Sequence, residues 1–182
     1  MRFVAAVGEE LGPVPGSVLG VGMIAAAASA AKLLALERPD AVILIGTAGA
    51  FAGGPAVGSV ICARNVGLGC PATSLGLGYI PRAPGPIACD DDLREKLGLP
   101  AANVLTNLAI TTDPALAERF ATEWQVEHME AYAVAYACAD AGIPFAAVLG
   151  ITNRVGPTAH AEWLRFRLSV GEAARAAALR LR

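Results

Sequence analysis

A chain of 182 residues, 55% hydrophobic and only 16% charged, can fill one sizeable core and reads as a single domain spanning 1–182. Its formal net charge of −2 leaves no basic footprint for nucleic acid and no polybasic patch for a membrane surface. Gly, Pro or a charge interrupts every apolar run before about 18 residues, so no transmembrane helix is expected. Glu9 and Glu10 close behind Met-Arg-Phe argue against a signal peptide and for a cytoplasmic chain.

The first elements follow from hydrophobic pattern. RFVAAV (2–7) and SVLGVG (17–22) are short apolar runs of strand length. MIAAAASAAKLLALERP then predicts a helix of alanine and leucine stopped by Pro39. AVILIGTAGA (41–50) is a continuous apolar run ending in small residues, the pattern of a strand covered on both faces. Strand, helix and buried strand together predict a βαβ unit with parallel pairing.

VGSVICARNVGL (57–68) predicts a further strand, and the Gly/Pro-rich stretch 69–90 a long functional loop. DDDLREKLG (90–98) predicts a short helix with acidic residues at its start and Gly98 at its stop. ANVLTNLAIT (102–111) reads as a strand with a polar tip. Asp113-Pro114 is an N-cap followed by an N1 proline, opening a helix over PALAERFATEW. Residues 129–141 predict the next helix, ended by Gly142 and Pro144. FAAVLGIT (145–152) is a second fully buried strand, followed by the polar corner NRVGP and one or two terminal helices.

Polar residues gather where these strands end: Glu9 and Glu10, Thr47, Thr106 and Thr111, Thr152 and Asn153. Ligands of open α/β sheets bind outside the carboxyl ends of the strands, so these tips are expected to converge on one pocket. Cys62, Cys70, Cys89 and Cys138 lack metal-site spacing and are read as buried free thiols, with no metal and no cofactor expected.

The glycine-rich pieces fit no standard nucleotide motif. GVG at 20–22 lacks both the third glycine of a dinucleotide fingerprint and a P-loop lysine. Its backbone N–H groups, Gly22 among them, suit an anion or hydroxyl, or it is a plain turn. QVEHMEAYAVAYA (125–137) poses a sharper question, because Glu127 and Glu130 head an apolar run although an unpaired buried charge is costly. Either they cap a helix or they bind something; a carboxylate there can hold a pair of vicinal hydroxyls. His128 is read as a solvent-facing spacer, and Arg154 as either a surface charge or a substrate clamp. No G-x-S-x-G elbow supports a serine hydrolase.

Taken in order, VLGVG–MIAAAASAA, PDAVILIGTAGAF, VGSV, VEHMEAYAVA and IPFAAVLGITNRVG resemble the nucleoside phosphorylase/nucleosidase superfamily from Val18 to about Pro157. V-E-x-M-E followed by I-T-N-x-V-G-P looks most like futalosine hydrolases of a menaquinone route. Methylthioadenosine/S-adenosylhomocysteine nucleosidases come next, usually with an aspartate at the place of Asn153. The resemblance implies an α/β, three-layer phosphorylase/hydrolase-like fold with a central mixed, mostly parallel sheet flanked by helices. It also implies a homo-oligomer acting on a small-molecule purine nucleoside.

By the same resemblance, Glu130 binds the ribose hydroxyls, Met129 packs under the sugar and Thr47 lies near the sugar or the nucleophile. Ile110 and Thr111 flank the base, Glu127 belongs to the substrate-binding set, and Thr152 and Asn153 address the N7 edge. Glu10, or else Glu9, deprotonates a water. The amide of Asn153 offers a donor and an acceptor, matching O6 and a protonated N7 of a 6-oxopurine. Hydrolysis is expected over phosphorolysis, since no arginine follows GTAGAF until Arg64 and the loop after Glu10 is short. The alternatives are an adenine-specific nucleosidase, a purine nucleoside phosphorylase, or a non-catalytic nucleoside-binding protein. Tyr132 in MEAYA and Thr158 after G-P depart from the usual pattern.

Overall fold

The computed structural model describes residues 1–182. Its elements are β1 (Arg2–Ala5), α1 (Gly8–Leu11), β2 (Gly16–Val18), α2 (Met23–Glu37), β3 (Val42–Ala50), β4 (Val60–Leu68), α3 (Pro71–Ser74) and β5 (Ile87–Ala88). There follow α4 (Asp91–Leu97), β6 (Ala101–Thr106), α5 (Pro114–Ala121), β7 (Val126–His128), α6 (Ala131–Ala141), β8 (Phe145–Arg154), α7 (Ala159–Ala178) and a 3-10 turn at Leu179–Leu181.

Side-chain alternation along the long strands produces the three layers. Val42 and Leu44 of β3, with Phe145, Ala147, Leu149 and Ile151 of β8, face α2 and α6 on one side. Ile43 and Ile45, with Ala146 and Val148, face α7 and α4 on the other. Each such fully buried large aliphatic side chain stabilises the fold by roughly 1.5–3 kcal/mol, so the continuous apolar runs are the main driving force. The eight-stranded sheet is mixed, with five of its eight strand pairings parallel. This is the expected α/β fold with a central sheet flanked by helices.

The sheet has one feature that matters for function: it forks. β8 pairs with β3 along its whole length on one edge. On the other edge, β1 pairs in parallel with Val42–Leu44, and β7 pairs antiparallel at Gly49 and Ala50. Ile45–Ala48 therefore have no neighbouring strand on that edge. β7 also pairs with β6, β6 with β4 and β4 with β8, so five strands close a ring beyond the fork.

Local signals placed most boundaries correctly. Asp90 and Asp113 accept hydrogen bonds from the N–H groups of Leu93 and Leu116 as N-caps, and Gly98 and Gly142 close their helices in the left-handed conformation. Other expectations are corrected. The strand expected over 102–111 stops at Thr106, because Asn107 turns its side chain to Glu127 and begins a loop. The helix expected from 129 starts at Ala131, because residues 126–128 are drawn into the ring as β7. The segment 69–90 contains α3 and β5, and Cys70 is half-buried rather than buried. No helix is long and apolar enough to cross a membrane.

Candidate active site

The fork exposes a backbone donor in the middle of an otherwise paired strand. The N–H of Thr47 has no strand partner there, and it donates instead to Glu10 Oε1 at 2.9 Å. The Thr47 hydroxyl donates to the same oxygen at 3.0 Å, and Trp163 Nε1 of α7 donates to that hydroxyl at 3.2 Å. Glu10 Oε2 is buried and has no hydrogen-bond partner. Burial pushes the Glu10 carboxyl above the ordinary carboxylate range, while His128 and the two Thr47 donors pull it back and Glu130 adds to the rise. Glu9, one residue earlier, turns its carboxylate to Arg167 on α7. Of the two glutamates held open from sequence, Glu10 is the one presented to the fork.

The β7–α6 junction forms the opposite wall and answers the question raised by its two glutamates. Both are 5% exposed. Glu127 is saturated by neutral donors: Asn107 Nδ2 at 2.8 Å, the Thr111 N–H at 3.0 Å and the Thr111 hydroxyl. Its work is to tie the β6–α5 loop to β7. Glu130 occupies the N-cap position of α6 without bonding its own helix. Its Oε1 instead accepts from the N–H of Gly22, at 2.6 Å, at the start of α2. The GVG turn thus does hold an anion, and that anion is the chain's own carboxylate.

His128 is the cap that Glu130 is not. The reading of a solvent-facing spacer is wrong: the residue is 4% exposed. Its Nδ1 accepts the N–H groups of Glu130 and Ala131 at 3.0 and 3.1 Å, and Thr106 Oγ1 accepts that of Tyr132 at 2.9 Å. These contacts satisfy donors that a helix N-terminus leaves open. With Nδ1 accepting, the imidazole N–H is assigned to Nε2. Nε2 lies against Gly46, where a Cβ would come within 2.8 Å of it and 3.6 Å of Glu10 Oε1. Only glycine leaves room there for both side chains. The available signal was the absence of Ser, Thr, Asp or Asn at the head of α6.

These groups share a cavity of about 500 Å³. Glu10, Thr47, Glu127, Met129, Glu130, Thr152 and Asn153 line it, with the half-exposed Ile110 at its edge. Thr111 and Gly22 stand behind the wall and act through Glu127 and Glu130. Asn153 Oδ1 accepts from Thr152 Oγ1 at 2.9 Å and its Nδ2 donates to the Arg154 carbonyl at 3.1 Å. One amide hydrogen and one lone pair remain for a ligand.

Several other expectations are settled by position. The 69–90 segment contributes nothing to the cavity wall. Tyr132 turns its hydroxyl to the Gly85 carbonyl at 3.3 Å and Thr158 bonds Glu162, so neither departure lines the cavity. Arg154 is structural, donating to the carbonyls of Phe51 and Gly54. The sequence reading missed the α7 contribution, where His160, Trp163 and Arg167 reach the wall. Its signal was spacing: Trp163, Arg167, Gly171 and Arg175 recur every four residues along one helix face.

A family model described as the phosphorylase superfamily matches residues 11–182. Futalosine hydrolase of Thermus thermophilus is 30% identical over 159 residues, covering 79% of this chain and 71% of that protein. The 5′-methylthioadenosine/S-adenosylhomocysteine nucleosidase of Bacillus subtilis is 30% identical over 164 residues, covering 81% and 71%. Among solved structures, S-adenosylhomocysteine nucleosidase from Streptococcus pyogenes, in complex with 5-methylthiotubericidin, matches with a TM-score of 0.85 at 21% identity. That match covers 98% of this chain and 93% of the other, and shows the shared fold.

Proposed function

The chain belongs to the phosphorylase superfamily, and from that membership we propose that it is an N-glycosidase hydrolysing a 6-oxopurine nucleoside, futalosine first among them. The observation that carries this is one cavity lined by three groups with open valences: Glu10 Oε2, the Glu130 carboxylate and the Asn153 amide.

Each group has a role in breaking the bond between C1′ and the purine. Glu10 Oε2 holds a water and takes its proton as the water oxygen bonds to C1′. The electron pair of the C1′–N bond leaves with the purine, which takes a proton from solvent at N7 and departs neutral, while Glu10 returns the water's proton to solvent. Glu130, with Oε1 fixed by Gly22, offers Oε2 to the vicinal ribose hydroxyls, and Met129 packs under the sugar. Holding the hydroxyls strengthens as positive charge develops on the sugar, which is where binding accelerates reaction.

The Asn153 amide supports the 6-oxopurine. Its remaining N–H suits O6 and its remaining lone pair suits a protonated N7. Adenine presents an amino group where O6 would be, so it leaves one polar group unmatched, a mismatch that discriminates by orders of magnitude. Hydrolysis is favoured over phosphorolysis because the cations nearest Glu10 are engaged. Arg167 pairs with Glu9, and Arg175 bonds the Glu9 and Glu10 carbonyls.

We also propose that a second copy of the chain covers the cavity edge, where Val21 and Ile110 stay 61% and 49% exposed. Light scattering is expected to give twice the mass of one chain, and a monomer at working concentration rejects this.

The deciding assay measures base release from futalosine, inosine, adenosine and methylthioadenosine, each with and without phosphate. Hypoxanthine appearing without phosphate, and lost in Glu130→Ala, is the expected result. Adenine release overturns the role given to Asn153 and favours the methylthioadenosine/S-adenosylhomocysteine reading. Release only with phosphate makes the chain a phosphorylase. Purine binding without turnover makes it a nucleoside-binding protein.

A further inference from the structure

The turn that carries Glu10 cannot hold itself. α1 is a single turn of four residues with no side-chain cap at Val7. A lone turn fixes several dihedral angles for very few hydrogen bonds, so it needs support from other elements. Its last carbonyls are also the ones a helix leaves without partners.

Both needs are met by α7, which joins the chain more than 150 residues later. Arg175 Nη1 donates to the Glu9 carbonyl at 2.9 Å and reaches the Glu10 carbonyl at 3.4 Å. The Arg175 side chain packs against Gly12, where a Cβ would come within 3.0 Å of Nε. Gly12 also has φ +54°, so two independent constraints ask for glycine at that place. Gly171, one helical turn before Arg175, is buried, and a Cβ there would lie 3.5 Å from Arg175 Nη1 and 3.9 Å from Thr47 Cγ2. No carboxylate pairs with Arg175 in this structure. Its charge is therefore directed at backbone oxygens rather than used to neutralise Glu10.

We infer that Arg175 is a positioning residue for Glu10: it fixes the backbone of α1 so that Oε2 faces the cavity while Thr47 holds Oε1. It does not line the cavity that holds Glu130 and Asn153, and it acts through the turn. Arg167, paired with Glu9 and lying over the Trp163 ring at 5.0 Å, braces the same turn from the next step of the stripe. The inference rests on Glu10 being the base.

Arg175→Met keeps the bulk of the stem and deletes the donors; Arg175→Lys keeps one charged donor. Two readouts are needed: kcat and KM for base release across pH, and the titration of the carbon-13-labelled Glu10 carboxyl without nucleoside. Misplacing a reacting group by about 1 Å costs on the order of 100-fold. Arg175→Met is expected to lower kcat about 10- to 100-fold with KM little changed, the signature of a loss felt in the transition state. The Glu10 titration and the acid limb of kcat are expected to fall together toward the ordinary carboxylate range as the turn loosens into water. Arg175→Lys is expected to recover part of both.

Unchanged kcat in Arg175→Met overturns the inference. So does a loss that Lys does not relieve while Glu10 titrates as in the unsubstituted chain. If no nucleoside is cleaved by the unsubstituted chain, the proposed function fails, and the carboxyl titration still decides the role of Arg175. Should Arg175→Met not fold, Arg175→Gln takes its place, and an unshifted Glu10 titration in that variant overturns the inference equally.

Discussion

The α1 turn and the β7–α6 junction each place a carboxylate at the same cavity, on facing walls, yet they treat it in opposite ways. Glu127 at the junction receives three neutral donors, shared between both its oxygens. Glu10 on the turn receives two donors, both on Oε1, and its Oε2 is left open although buried. Glu127 is buried outright and Glu10 half-buried, a difference that does not say which of them reacts. Saturation separates them: a fully bonded carboxylate ties loops to strands, while a buried oxygen without a partner stores free energy that a reacting water can use.

Glu10→Gln tests that contrast with the largest expected effect. Loss of the base is expected to lower kcat about 10²- to 10⁴-fold. Stability should move the other way. Burial raises the Glu10 pKa in the folded chain, so the native state holds this proton more tightly than the unfolded state. The stabilisation from that proton is complete below the unfolded pKa and is lost as pH rises through the raised folded value. Near neutral pH the ionised carboxylate therefore weighs against the fold, and Gln removes that burden. Melting curves from acid to neutral pH should show the unsubstituted chain losing ground to Glu10→Gln across this window. A variant that is active, or less stable at neutral pH, breaks the contrast.

How far this contrast was legible in the sequence depends on the range of the contacts. Asp90, Asp113, Gly98 and Gly142 act within a few residues, so their helix ends could be read directly. The convergence of Glu10, Thr47 and Thr152–Asn153 was readable because strand tips in α/β sheets share one side. Glu127 and Glu130, in contrast, were assigned from the family resemblance, and Thr106 turns instead to the Tyr132 N–H. The fork was not. Pairing of β7 with both β3 and β6 depends on three residues, too few for a periodic signal. Support for α1 from Arg167 and Arg175 crosses 158 to 166 residues of chain, and the four-residue stripe on α7 does not name its partner. His128 was misjudged because an imidazole between two glutamates looks like a surface residue, whereas its partners are backbone N–H groups.

His128 belongs to both regions, and His128→Asn divides its two functions. The Asn Oδ1 can replace Nδ1 as acceptor for the Glu130 and Ala131 N–H groups, so the melting temperature should change little. What disappears is the Nε2 side of the ring, which faces Gly46 and Glu10. The Nε2–H dipole on the Glu10 side favours the ionised carboxylate, so its loss should move the acid limb of kcat to higher pH. A fall in kcat of about tenfold at neutral pH is expected, smaller than for Glu10→Gln because the base remains. His128→Ala, which deletes the cap as well, should lose a further ~1 kcal/mol of stability. Equal kinetics in Asn, Ala and unsubstituted chains would reduce His128 to a cap.

Glu127→Gln should disturb catalysis least and stability most plainly, reversing the Glu10 result. An amide keeps one acceptor but converts the other oxygen into a donor, which must then face Asn107 Nδ2 or the Thr111 donors. At least one buried donor is left unmatched, a cost of about 1–3 kcal/mol. For a chain of this size each kcal/mol corresponds to roughly 2–4 °C of melting temperature. Loosening the loop also frees Ile110 at the cavity edge, so the effect on substrate should appear in KM before kcat. If Glu127→Gln instead abolishes kcat in a chain that melts normally, then Glu127 touches the reaction. Saturation would then no longer mark the difference between the two walls of this cavity.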